Sequence, residues 1–294
     1  MDYGETALDS FTSFDRKTFD IHIWEAKNPK IVFLGLHGAL AHAGDFVTVG
    51  TFFKKHGIST VSYDLRGHKQ TRIYADSLDT VLQDNNFFLD WVKRRYPKLP
   101  IIVVGHSFGG LLAFLSGLRG WSEQNQIGWM EDDHIKGFIV SSPYLANVVK
   151  VSKPLLMVSG VLSKIIPKGN VPMEDLTDKL TRDQDIYKRH LEDEKKGVRA
   201  KEVSMRYGRI FLDGQNYVAE NIERWSKPLL AFVSGDDKLA DPEITNELLK
   251  ELDPEKTTIV NYPENYHENF NELNREDTFK QMLEWVEKLN PSLV

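Results

Sequence analysis

The chain has 294 residues, 41% hydrophobic and 27% charged, the composition of a globular protein with ample material for a core. A net charge of -6, with no Lys/Arg cluster interleaved with aromatics, argues against a polyanion-binding surface, and no nucleic-acid partner is expected. The absence of cysteine removes any disulfide framework, thiolate metal site or cysteine nucleophile. Met1-Asp2-Tyr3-Gly4-Glu5-Thr6 lacks the basic and apolar regions of a signal peptide. The longest apolar-rich run, residues 154–166, is broken by Ser159, Gly160, Ser163 and Lys164 and is too short to span a bilayer. A cytoplasmic location is the expectation, and nothing in the sequence indicates an oligomeric state.

Phe19, Ile21 and Ile23 alternate with Asp20, His22 and Trp24, which predicts a half-exposed strand paired as a hairpin with residues 10–14. His22 falls on its polar phase and is expected to face solvent. Ile31-Val32-Phe33-Leu34-Gly35-Leu36 reads as a buried strand, followed by the loop His37-Gly38-Ala39-Leu40-Ala41-His42 and a helix over 46–56. A strand over 58–63 closes on Asp64-Leu65-Arg66-Gly67-His68. Residues 84–96 place Phe87, Phe88, Trp91 and Val92 on one helical face. Next, Ile101-Ile102-Val103-Val104 reads as a strand buried on both faces, turning through Gly105-His106-Ser107-Phe108-Gly109 into an apolar helix over 111–118. This rhythm predicts an α/β fold with a mostly parallel, doubly wound sheet.

After a strand over 135–142 the alternation stops. Residues 144–225 hold an apolar run and then a charged stretch over 174–206, read as a helical insertion with a solvated charged face. If helical, the run aligns Leu155, Met157, Val158, Val161, Leu162, Ile165 and Ile166 as a stripe, either core packing or the border of a pocket mouth. The rhythm resumes with a strand over 228–233 ending in Ser234-Gly235-Asp236-Asp237, a helix over 242–252, a strand over 257–261, a turn reaching His267, and a closing helix over 276–289. The organisation expected is a core over 1–142, a helical cap over 143–225, and the rest of the core over 226–294.

The pattern Gly-x-Ser-x-Gly at 105–109 puts Ser107 at a sharp strand-to-helix turn, where Gly105 and Gly109 leave room that a Cβ would fill. A serine hydroxyl needs a general base, and the base needs a third group to hold its tautomer. Ser107, an acid from Asp236, Asp237 or Asp241, and His267 each follow a strand in the order Ser, Asp, His, at the edge where open parallel sheets carry their chemistry. The amide of Phe108 and that of Ala39, in the loop after residues 31–36, are the expected oxyanion donors. His37 and His42 are metal ligands by type, but neither has an acidic or His partner four residues on. No dinucleotide or Walker pattern occurs either, so neither metal nor cofactor is expected.

These motifs resemble the α/β-hydrolase fold, and within it the monoacylglycerol lipase and lysophospholipase branch. His37-Gly38-Ala39 with His42, Asp64-Leu65-Arg66-Gly67-His68, Gly-His-Ser-x-Gly-Gly, Asp237-Lys238-Leu239-Ala240-Asp241 and Tyr266-His267-Glu268 are similar to successive loops of that branch. The likeness covers nearly the whole chain and implies Asp237 as the acid. Lys69-Gln70-Thr71 departs from the family's usual Gly-x-Ser, Phe108 stands where Met is common, and the insertion matches only loosely. The resemblance implies a cofactor-free serine hydrolase acting on a lipid ester with one acyl chain; if the apolar stripe borders the pocket mouth, transient contact with a membrane or micelle surface through the cap is expected. A general carboxylesterase, an iminopeptidase-like hydrolase and a non-catalytic binding protein on the same scaffold are the alternatives.

Overall fold

A computed structural model describes residues 3–119, 128–149, 160–171 and 174–289. Its strands are β1 (Ala7–Thr12), β2 (Thr18–Trp24), β3 (Ile31–Leu36), β4 (Ile58–Tyr63), β5 (Arg72–Ile73), β6 (Ile101–His106), β7 (Ile135–Ser141), β8 (Asn170–Val171), β9 (Glu202–Ser204), β10 (Leu229–Ser234) and β11 (Thr257–Tyr262). The main helices are α1 (Val47–Phe53), α2 (Leu78–Arg95), α3 (Phe108–Leu118), α4 (Gln184–Lys195), α5 (Met205–Asn221), α6 (Pro242–Lys250) and α7 (Arg275–Leu289). Eight strands form one sheet in the order β1-β2-β4-β3-β6-β7-β10-β11, and only β2 runs antiparallel to its neighbours. This is the α/β-hydrolase architecture.

The central strands are apolar on both faces because helices cover both. Leu34, Leu36, Val103 and Val140 pack toward α2, α3 and α5, whereas Phe33, Ile102, Val104 and Phe232 pack toward α1 and α7. The period-two alternation within continuous apolar runs thus sorts into two cores. The carboxyl ends of β3, β6, β10 and β11 meet along one edge.

Four expectations change. Helix α2 starts at Leu78, because Ser77 caps it by accepting the Thr80 amide at 3.1 Å, and Leu78, Val81 and Leu82 carry the apolar face back by a turn and a half. His22 is buried at 7% exposure: residues 3–6 fold across β2, and Glu5 Oε1 lies 2.5 Å from His22 Nδ1. The segment between β7 and β10 is not purely helical, since β8 and β9 form a second small sheet with β5. Nor is its charged stretch a uniformly solvated face, as His190, Asp193 and Arg199 are buried. Of the apolar run 155–166, residues 155–159 lie outside the described residues. Over 160–165 the chain is helical, and Val161, Ile165 and Ile166 are 56%, 70% and 46% exposed.

Candidate active site

Ser107 joins β6 to α3 with φ 53° and ψ -118°, a conformation that costs a non-glycine residue free energy and persists only where its surroundings impose it. Here its amide donates to Ser141 O at 2.9 Å, and its carbonyl accepts from Tyr144 N at 3.0 Å and Leu111 N at 3.1 Å. The turn also packs tightly under itself. A Cβ on Gly105 would lie 2.4 Å from Gly109 O, and one on Gly109 would lie 1.9 Å from Leu36 O. No other residue fits at either position.

The amide of Phe108 opens α3, and that of Ala39 lies in the loop after β3; neither has an accepting partner among the described residues. That loop is pinned by His37, whose Nδ1–H donates to Gly38 O at 2.8 Å while Nε2 accepts the Leu65 amide at 2.9 Å. Burial pushes His37 down to about 3, so it stays neutral, and both ring nitrogens are used internally.

His267 Nδ1 lies 2.7 Å from Asp237 Oδ2, and Asp237 Oδ1 accepts the amides of Leu239 at 2.8 Å and Ala240 at 3.0 Å. The carboxylate is therefore fixed by its own turn and aimed at the imidazole. Of the other two acids, Asp236 pairs with Lys238, and Asp241 caps α6 through the Glu243 and Ile244 amides at 3.0 and 3.1 Å. Burial alone would lower the His267 pKa, but the Asp237 charge and hydrogen bond, with Glu268 adding, outweigh it and leave it raised. Ser107 and His267 line one cavity of about 270 Å³, with no hydrogen bond between their side chains in this structure. Ala39, Leu40, Tyr144, Leu180, Val203 and Phe211 supply much of its apolar wall.

Sequence reasoning missed the scaffold behind these groups. Asn269 is fully buried: its Nδ2 donates to Ser141 Oγ at 3.3 Å and Ser142 Oγ at 3.2 Å, while its Oδ1 accepts from Ser234 Oγ at 3.0 Å and Asn265 Nδ2 at 2.8 Å. It ties the His267 turn to the ends of β7 and β10. His106, the residue before Ser107, sits with its ring 4.9 Å from that of His267, and burial pushes it down to about 4. His42 does approach acids, with Nε2 3.3 Å from Asp193 Oδ2 and 3.5 Å from Asp45 Oδ1. However, His42 Nδ1 accepts the Gly44 amide at 3.1 Å, so Nε2 carries the ring proton and offers no lone pair to a metal.

Together the groups provide an aimed Asp–His pair, a strained serine and two free amides around an apolar cavity, a set suited to acyl transfer. The family model described as Serine aminopeptidase, S33, matches residues 27–274. Phospholipase YtpA of Bacillus subtilis (strain 168) is 30% identical over 261 residues, 87% of this chain and 95% of the relative. The monoacylglycerol lipase of Mycolicibacterium smegmatis is 25% identical over 263 residues, 88% of this chain and 89% of the relative. In fold, a soluble variant of monoglyceride lipase from Saccharomyces cerevisiae solved with a substrate analog matches at a TM-score of 0.80 and 19% identity, over 97% of this chain and 96% of that one. The chain belongs to the Serine aminopeptidase, S33, family and, within the α/β-hydrolase fold, to the monoacylglycerol lipase and lysophospholipase branch of serine ester hydrolases.

Proposed function

We propose that the chain hydrolyses carboxylic esters of lipids with a single acyl chain, monoacylglycerols or lysophospholipids, through an acyl-enzyme on Ser107. The observation that carries this reading is the 2.7 Å contact between His267 Nδ1 and Asp237, in a cavity that Ser107 also lines. Ser107 Oγ attacks the ester carbonyl as its proton passes to His267 Nε2, and Asp237 holds the imidazolium that results. The amides of Ala39 and Phe108 receive the oxyanion. Collapse of the tetrahedral intermediate breaks the bond to the leaving alcohol, which takes the proton from His267. Water then repeats the sequence on the acyl-enzyme and releases the fatty acid.

The apolar wall and the names of the two relatives support a lipid substrate over a small polar ester. On this reading residues 143–225 are a cap over the acyl pocket, inserted between core segments 1–142 and 226–294, and exposed Val161, Ile165 and Ile166 meet a membrane or micelle. The test is a parallel assay of monoacylglycerol, lysophosphatidylcholine, a short p-nitrophenyl ester and an amino-acid p-nitroanilide. A higher kcat/KM for one of the two lipids is expected. Preference for the anilide or the short ester would overturn the lipid assignment.

A further inference from the structure

Glu268 follows the proposed base, yet it is only 4% exposed. Its Oε2 accepts from His190 Nε2 at 2.9 Å and Asn271 Nδ2 at 2.8 Å, and Arg199 Nη2 lies 4.0 Å from Oε1. His190 Nδ1 accepts from Arg199 Nη1 at 3.1 Å, which leaves the His190 proton on Nε2, the tautomer that donates to Glu268. Arg199 Nη1 also donates to Asp45 Oδ2 at 2.5 Å, in the turn before α1. Backbone bonds reinforce the junction, with the Glu268 amide donating to Leu180 O and the Ala200 amide to Leu40 O, each at 2.9 Å. Glu268 itself lines the cavity together with Leu180, Arg199 and Ala200, so Arg199 and the backbone that holds the Glu268 amide belong to the wall that would meet substrate.

We propose that Glu268 is a positioning residue for His267 and that His190 and Arg199 set it, so that seating residues 174–204 on the sheet also orients the base. The proposal rests on His267 being the base. The charged and titratable groups around Glu268 are Asp45, His190 on α4, Arg199 after it, His106 at the end of β6, and His267 itself. Burial would raise the Glu268 pKa, but His190 and Arg199 hold it below the usual carboxylate range. It is therefore ionised at neutral pH, and its charge adds to that of Asp237 in favouring protonated His267.

The test is the pH profile of kcat and kcat/KM for p-nitrophenyl butyrate, on the full chain and its Glu268→Gln, Glu268→Asp, His190→Phe and Ser107→Ala variants. Glu268→Gln should lower kcat roughly 10- to 100-fold, as a misaligned base does. KM should stay within about two-fold, and the acid limb of kcat/KM should move to lower pH because a nearby negative charge is gone. Glu268→Asp keeps the charge and should keep the limb. His190→Phe should also lower kcat, and adding it to Glu268→Gln should cost little more, because both break one unit. An unmoved limb in Glu268→Gln, or additive losses, would overturn the proposal. If Glu268→Gln loses its cooperative unfolding transition, Arg199→Lys decides: one ammonium cannot stand both at the Nη1 position, which serves Asp45 and His190, and at the Nη2 position, which faces Glu268, so a lower kcat supports the proposal and an unchanged kcat refutes it. An active Ser107→Ala would instead sink the catalytic reading, whereas an inactive one with an unmoved Glu268→Gln limb refutes the positioning role alone.

Discussion

For the individual residues, the proposed mechanism requires Ser107, Asp237 and His267 to act as one unit. Ser107→Ala and His267→Ala should each lower kcat on the order of 10⁴-fold with folding intact, and Asp237→Asn somewhat less. Asp241→Asn should keep its activity, since that carboxylate caps α6 and does not face His267. An inactive Asp241→Asn beside an active Asp237→Asn would reassign the acid. In the proposed mechanism Phe108 acts through its amide, so Phe108→Met should retain most activity. Its ring packs on Phe211 at 4.8 Å and Tyr207 at 5.5 Å, so that change should cost stability of about 1 kcal/mol. Phe108→Pro removes the donor, and steady-state kinetics on it should find no turnover. Because His267 is raised from its ordinary value of 6.5, the acid limb of kcat/KM for the unmodified protein should fall above about pH 6.5. A profile flat to pH 5 would contradict its role.

Among the elements, legibility followed burial. Strands β3, β6 and β10 announce themselves because a strand covered on both faces is an unbroken apolar run, and the proposed catalytic positions follow at their ends. The elbow was equally plain, since Gly105 and Gly109 answer a local steric demand. Long-range partners left no local trace. His22 sits on a polar phase yet is covered by Glu5, and His190, Asp193 and Arg199 look like parts of a solvated charge run until Glu268, His42 and Asp45 are brought to them in turn. The first turns of α2 were hidden because Asp79 and Thr80 dilute its apolar face, and the cap at Ser77 is the signal that restores them. The exposed side chains over 161–166 carry their own test. Ile165→Glu should leave thermal unfolding nearly unchanged, within about 0.5 kcal/mol as for other surface changes, and leave p-nitrophenyl acetate hydrolysis intact. Long-chain monoacylglycerol turnover on micelles should drop several-fold. Loss of the melting transition would show that the stripe is core.

In the whole molecule, buried titratable groups couple the fold to pH. Burial pushes His37 and His68 down to about 3 and His106 to about 4, so each binds a proton more readily unfolded than folded. The stability tied to these neutral imidazoles is fully present above about pH 6.5 and is lost as pH falls toward the folded values. Asp45 and Glu268, held low by Arg199 and His190 despite burial, act in the same direction at lower pH. His267 and Asp84, both raised, work the opposite way, but Asp15, Asp132, Asp175 and Asp183, also held low, add to the larger set. The melting temperature should therefore fall steadily from pH 7 to pH 4 in a calorimetric series, and a flat or rising trend would contradict these assignments.

If Ser107 becomes acylated, a fluorophosphonate should label it covalently, and peptide mass mapping locates the adduct. One adduct is expected, on the peptide carrying Ser107, absent from Ser107→Ala and strongly slowed in His267→Ala. A protein that takes no label, or takes it equally well after Ser107→Ala, would contradict it.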